Sequence, residues 1–368
     1  MKILHIINGL AMGGAENLLV GLAGGQVKCG NDVTVIPLVC PENTIIGARL
    51  KSSGVKVEPL RVSGSVYNPL LVLKIFNKIK KFDIVHVHLF PSLYWAGIAN
   101  LLNFRKIPIV YTEHSTNNRR RGNKVLCCAD RIIYKYCYKK IIACADKVLK
   151  SFNQSYPDVH HCCVINNGVD VSRFSNATPY AKESLLGVSE NDFVVTMVAR
   201  FMSMKRQDTV VEALAKLPKQ IHVAFVGGEE HDEGLIRVKE LAVRLNVIDR
   251  VHFLYIRQDV PEILKTSDVV LMASDYEGLS LSSIEGMAAG KPFIASDVDG
   301  LREVVGGAGL LYANNDAEEL AESIFLLYRD KSLYNKIMSQ CYQRAKEYDI
   351  GNMVYSYMQV YNNIRFEK

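Results

Sequence analysis

Short, almost wholly apolar runs alternate along the chain with longer stretches whose apolar positions recur every three or four residues. In the first half the runs are "KILHII", "DVTVIPL", "VKVEPL", "DIVHVHL", "IPIVYT", "KKIIACA" and "HCCVINN". Between them lie stretches with helical spacing, such as "AENLLVGLAGGQVKCG" and "YNPLLVLKIFNKIKKF". Near-continuous apolar strands are what a parallel sheet needs when helices cover both of its faces. The alternation then restarts with "FVVTMVA", "IHVAFVG", "RVHFLY", "DVVLMA" and "KPFIAS". Two successive β–α series predict an α/β protein of two doubly wound, Rossmann-like parallel-sheet domains.

The join is expected at the Asn167-Gly168 turn signal or in the polar "SRFSNATPYAKES" after it, which divides the chain into 1–170 and 171–350. A length of 368 residues agrees, being long for a single core. From Asp316 on, the pattern reads as three helices. The last, within 351–368, places Met353, Val354, Tyr357, Met358, Val360 and Tyr361 on one face, which suits packing against a domain.

Charge sharpens the division. Residues 1–175 carry 23 Lys and Arg against 10 Asp and Glu, and residues 176–368 carry 21 against 28. A basic half joined to an acidic half suggests different partners for each. The nine cysteines include no CxxC, which fits reduced thiols better than a disulfide framework. "HHCC" (His160 to Cys163) lies in a predicted strand, where neighbours point to opposite faces and converge poorly on a metal ion. The apolar N-terminal run breaks at Asn8-Gly9 and reads as a strand rather than a signal peptide, so a cytoplasmic location is expected. No run reaches the roughly 18 apolar residues of a spanning helix.

Three loops at the carboxyl ends of predicted strands carry candidate chemistry. "NGLAMGGAENL" is not a GxGxxG fingerprint, but Gly13 and Gly14 open a helix whose free amides suit an anion; a tight turn explains the pair as well. "VARFMSMKRQD" places Arg200 and Lys205 around one loop, where two cations could neutralise a diphosphate or simply be solvated. In "EGLSLSSIEG", Ser282-x-x-Glu285 matches a capping box and predicts a helix start near Ser282. Glu277 lies outside that helix, so capping does not explain it. Gripping the hydroxyls of a sugar nucleotide explains both acids, and a metal is less suited because cations are already supplied.

Glu277 and Glu285, with seven residues between them, resemble the E-x7-E signature of retaining glycosyltransferases of family 4. "GGAE", "NNGVD" (Asn166 to Asp170) and "VARFMSMKRQD" match that family in order, so the resemblance spans nearly the whole chain. It implies the GT-B fold, two Rossmann-like domains with the active site in the cleft between them. It also implies roles for residues. Arg200 and Lys205 would hold the donor diphosphate, Glu285 would bond the ribose, and Glu277 would lie beside the transferred sugar. The amides of Gly278, Leu279, Ser280 and Leu281 would cradle sugar and phosphate. Gly13 and Gly14 would close on the phosphates from the other domain, and His114 would face donor and acceptor. The last helix would cross back to the first domain. The expected catalytic set is thus Glu277, His114, Arg200 and Lys205, with no cofactor and no metal. The family's frequent GxGP is here "VGGEEHDEG", which puts nucleotide contacts at Gly227 in question. "DVD" (Asp297 to Asp299) imitates a metal motif but precedes a helix and reads as a cap.

The expected partners are a nucleotide-sugar donor, with UDP favoured by family habit, and a glycan or lipid-linked acceptor of surface polysaccharide. Residues 117–150 hold ten Lys and Arg against two Asp and Glu, with tyrosines interleaved. Arg119, Arg120, Arg121, Lys135, Lys139 and Lys140 are therefore candidates for touching the anionic inner face of a membrane. A solvated basic face is the alternative. No nucleic-acid module accompanies the charge. The competing functions are a GT-B epimerase and a non-catalytic sugar-nucleotide-binding regulator.

Overall fold

A computed structural model describes residues 1–11, 13–115 and 118–366, apart from the side chains of Arg119 and Phe366. The chain divides into two compact units, residues 1–168 with 350–368, and residues 169–349.

The first unit is a parallel sheet of seven strands: β1 (Lys2–Ile7), β2 (Asp32–Pro37), β3 (Lys56–Val57), β4 (Ile84–His88), β5 (Ile109–Glu113), β6 (Lys140–Ala143) and β7 (Cys162–Val164). Their order is β3-β2-β1-β4-β5-β6-β7. The chain therefore winds outward from β1 on one side and returns to build the other side from β4. Loops after β1 and β4 diverge at this reversal and open a crevice at the strands' carboxyl ends. Asn8 spans it. Its amide donates to the Phe90 carbonyl at 2.6 Å and its oxygen accepts from the Ser92 hydroxyl at 2.8 Å.

The last helix, Ile350–Phe366, belongs to this unit and buries Met353, Val354, Tyr357, Tyr361 and Ile364. It lies against helix Gly14–Lys28. The glycines of "GLAGG" make that approach close. A Cβ at Gly21 would stand 2.1 Å from Ile350 Cδ1, and one at Gly25 would stand 2.5 Å from Val354 Cγ2.

The second unit has six parallel strands: β8 (Phe193–Val198), β9 (Ile221–Val226), β10 (Val251–Phe253), β11 (Val269–Met272), β12 (Phe293–Ser296) and β13 (Leu310–Tyr312). Their order, β10-β9-β8-β11-β12-β13, puts the reversal between β8 and β11. All twelve runs read from the pattern are strands here. β13 was not among them. Apolar residues of these strands and of the helices form one buried cluster, which includes Val195, Phe225, Leu271 and Ile294.

Candidate active site

The reversal between β8 and β11 brings together the second unit's two charged loops. After β8 the chain runs through Arg200 to a short 3-10 turn, Ser203–Lys205. After β11 it runs through Ser274 to Glu277. The Asp275 amide donates to the Met204 carbonyl at 2.8 Å and ties the loops together. Lys205 then reaches Glu277, and ammonium and carboxylate form a short ion pair. The Ser274 hydroxyl donates to the same carboxylate oxygen at 2.9 Å, and Ser274 is held in turn by the Ser296 hydroxyl on its carbonyl, at 2.7 Å. Glu277 is thus fixed from two sides. This pairing across 72 positions is invisible in the sequence.

Arg200 is exposed, and its guanidinium has no ion-pair partner among the described residues. Its backbone is fixed, since Gln207 Nε2 donates to its carbonyl at 3.0 Å. Gly227 has φ +123, and a Cβ there would lie 2.4 Å from the Ala199 carbonyl oxygen, so only glycine lets this turn pack under the Arg200 loop. Gly300 does the same for the other loop: its Cβ would lie 2.1 Å from the Gly278 oxygen.

Helix Leu281–Ala288 begins at the crevice. Its N-cap is Ser280, whose hydroxyl accepts from the Ser283 amide, so the capping box expected at Ser282 is not formed. The helix starts one residue before Ser282, which moves Glu285 past the first turn and out of reach of the cap. Glu285 accepts no hydrogen bond from the described residues, and burial pushes its carboxyl up to about 7. The segment Gly278 to Leu281 is the entry to this helix, where free amides and the helix dipole favour an anion.

In the first unit, helix Gly14–Lys28 is entered through Gly13. The Glu16 carboxylate curls over that entry, with its oxygen 2.3 Å from where a Gly13 Cβ would be. An anion arriving there must displace it. His114 follows β5 directly. It is half-buried, burial pushes its imidazole down to about 4, and its Nε2 is 3.1 Å from His88 Nδ1.

Other expectations need correction. Asp297 and Asp299 do not cap the helix they precede. Asp297 pairs with Arg302 at 2.6 Å, Asp299 approaches it at 3.5 Å, and Val298 is the N-cap. Arg120 and Arg121 are not free to meet a surface. Arg120 binds the fully buried Asp130 at 3.0 Å and Arg121 faces the buried Glu113 at 3.5 Å, because two acids inside the unit need cations. The Arg119 side chain lies outside the described residues. Lys135 pairs with Asp158 at 2.9 Å at the surface, Lys139 is exposed and Lys140 is half-buried. Among the described residues the group spaced to hold a metal is His5, His86 and His88, not "HHCC".

Two family models match in succession: Glycosyltransferase Family 4 over residues 12–173 and Glycosyl transferases group 1 over residues 182–347. The UDP-Gal:alpha-D-GlcNAc-diphosphoundecaprenol alpha-1,3-galactosyltransferase of Escherichia coli is 28% identical over 72% of this chain and 70% of its own. The N-acetyl-alpha-D-glucosaminyl L-malate synthase of Bacillus anthracis is 27% identical over 73% and 70%. Among solved structures, Anabaena Alr3699/HepE in complex with UDP superposes with a TM-score of 0.84 at 24% identity, covering 99% of this chain and all of that one. With both halves matched in order and the fold shared from end to end, the chain belongs to the family 4 glycosyltransferases of GT-B fold.

Proposed function

We propose that the protein transfers a sugar from a UDP-sugar to a lipid-linked glycan, with retention at the anomeric carbon and without a metal ion. The observation that carries this is the Lys205–Glu277 pair at the reversal between β8 and β11, on the loop that also carries Arg200. As the sugar–phosphate bond breaks, negative charge grows on the diphosphate. Fixed cations aimed at that charge stabilise the transition state more than the ground state. Arg200, with no ion-pair partner among the described residues to give up, and Lys205, shared with Glu277, are such cations. Glu277 keeps the Ser274 hydroxyl when Lys205 turns to phosphate, and so remains placed beside the sugar. Glu285 accepts from ribose hydroxyls, and the amides of Gly278, Leu279, Ser280 and Leu281 meet sugar and phosphate. Gly227 acts here by letting its turn pack rather than by touching the nucleotide. In the first unit, Gly13 and Gly14 offer the amides of a helix entry, and His114 an imidazole, to a ligand. The UDP bound by HepE and the diphosphoundecaprenol acceptor of the E. coli relative support the choice of donor and acceptor.

A lipid-linked acceptor requires access to a membrane surface, and helix Lys124–Cys137 offers it. Val125, Ile132 and Tyr136 are exposed at helical spacing, Val125 by 77%. Beside them Phe104 is 86% exposed, and the Arg105 guanidinium bonds the Tyr136 carbonyl at 2.8 Å. Lys124 and Lys139 lie near the stripe, as do Arg131 and Lys135, which share the Asp158 carboxylate. Apolar side chains between cations suit an anionic bilayer surface, and no helix among the described residues is long and apolar enough to cross it.

The test is incubation with UDP-sugars and undecaprenyl-diphosphate glycans in excess chelator, with the product analysed by NMR. A new α-linked glycan supports the proposal. Strict dependence on a divalent cation, an inverted anomer, or an epimerised donor with no transfer contradicts it.

A further inference from the structure

Three histidines of the first unit's sheet stand beneath His114, and nothing in the proposed reaction uses them. His5 lies on β1, paired in register with His86 on β4. His88 follows two residues later and so shares the face of His86. All three are fully buried. A line of hydrogen bonds joins them. Gln26 Oε1 is 2.8 Å from His5 Nε2, His5 Nδ1 is 3.1 Å from His88 Nε2, and His88 Nδ1 is 3.1 Å from His114 Nε2. The line ends at His114 Nδ1, which has no partner among the described residues.

Burial keeps these rings neutral, pushing His5 and His114 down to about 4 and His86 and His88 well below their ordinary value. A neutral imidazole donates from one nitrogen and accepts at the other. Fixing one end of the line therefore fixes all of it. With the Gln26 oxygen towards His5, His5 carries its proton on Nε2 and accepts from His88 Nε2–H. His88 then accepts from His114 Nε2–H. A second branch starts at the other end of the Gln26 amide. Its amide nitrogen donates to the Tyr361 hydroxyl at 3.3 Å, and that hydroxyl meets His86 Nδ1 at 2.6 Å. His86 Nε2 meets the Thr112 hydroxyl at 2.7 Å, which lies 3.1 Å from the Tyr357 hydroxyl. Turning the Gln26 amide over reverses donors and acceptors throughout and moves the His114 proton to Nδ1.

We infer that Gln26, acting through His5 and His88, fixes the tautomer of His114, so that His114 presents a lone pair at Nδ1 to a substrate hydroxyl. The inference rests on the reading of His114 as a substrate contact. Gln26, His5 and His88 are positioning residues. A divalent ion among His5, His86 and His88, whose nitrogens lie within 4.8 Å of one another, would break the His5–His88 bond and take a hydroxyl partner from His86, with no carboxylate in the group to offset its charge.

The experiment uses the full chain labelled with ¹⁵N-histidine, in which ring-nitrogen shifts report where each proton resides. Wild type is expected to show His114 as the Nε2–H tautomer alone. Gln26→Met, similar in length but without a polar end, is expected to show both tautomers and to lower kcat/KM about three- to tenfold, the size of one ordinary hydrogen bond. In a His114→Asn background the same change is expected to have no further effect. If Gln26→Met does not fold, Gln26→Leu, also without a polar end, removes the same bond to His5 and gives the same readings. An unchanged single tautomer in the variant, or independent losses from Gln26→Met and His114→Asn that multiply, overturns the relay and leaves the role of His114 standing. A His114→Asn enzyme with unchanged kcat/KM instead removes the reading on which the relay rests.

Discussion

Replacing Gly300 by alanine tests whether the position of the Glu277 loop governs turnover. Gly300 is the second residue of helix Asp299–Val305, and its φ is not in the left-handed region. Alanine meets no backbone strain there and gains about 1 kcal/mol of helix propensity. Its Cβ, however, would lie 2.1 Å from the Gly278 oxygen, 2.3 Å from the Glu277 oxygen and 2.7 Å from the Glu277 carbonyl carbon. All three are backbone atoms, so no side chain can rotate away. Ordinary contact returns only if the loop retreats by more than about 1 Å. Such overpacking costs about 1–3 kcal/mol, which the helix gain partly offsets, so the variant is expected to fold with a small change in Tm. Activity is expected to suffer far more. A displacement of about 1 Å at a positioning loop costs about 100-fold, and here it carries Glu277 away from Lys205. The assay pairs a thermal melt with kcat/KM for sugar transfer. A folded Gly300→Ala enzyme with near wild-type kcat/KM would refute the claim that this contact places Glu277.

Glu285 titrates near 7 in the free protein, so deprotonation must precede its acceptance of ribose hydroxyls. UDP affinity by calorimetry should rise about tenfold from pH 6 to pH 8, and Glu285→Gln should flatten the profile; an equal slope in the variant speaks against a ribose contact. The buried histidines bear on stability with a definite sign. His5 and His114 remain neutral in the folded state down to about 4, while the unfolded chain takes up protons below about 6.5. Their contribution is present above that value and lost as pH falls from about 6.5 to 4, by up to about 1.4 kcal/mol per pH unit for each ring. Glu285, Glu113 and Glu16, whose carboxyls burial raises, work the other way, three groups against the four rings of the cluster. Urea unfolding at pH 7 and pH 5 checks this, and equal stability at both would count against neutral buried rings. Phe104→Asp and Val125→Asp should each weaken flotation with anionic vesicles at low salt without altering UDP binding, and undiminished flotation would contradict the docking surface.

Most of the fold was legible because strands covered on both faces are nearly continuous apolar runs, and twelve of them stood out. The second unit's two charged loops were legible through residue types at strand ends, Arg200 with Lys205 on one and Glu277 with Glu285 on the other. What could not be read was contact between distant positions. The Lys205–Glu277 pair depends on β8 and β11 being neighbours, and no local pattern states that order. The histidines are the same case. His5, His86 and His88 each look like an ordinary core residue, and they meet only because β4 returns beside β1. Arg120 and Arg121 read as candidates for a membrane surface, because no local pattern shows that they turn inward to Asp130 and Glu113. At Ser280 two serines competed for one cap, and the backbone chose the earlier, which freed Glu285.

The central claim is that Arg200 and Lys205 hold the diphosphate of the donor. Calorimetric titration of UDP and of uridine into wild type and an Arg200→Ala/Lys205→Ala variant tests it most directly. Two charge-assisted hydrogen bonds of about 1.5–3 kcal/mol each predict that the variant loses at least about 100-fold in UDP affinity and none in uridine affinity. UDP bound as tightly as before, or uridine weakened equally, would contradict it.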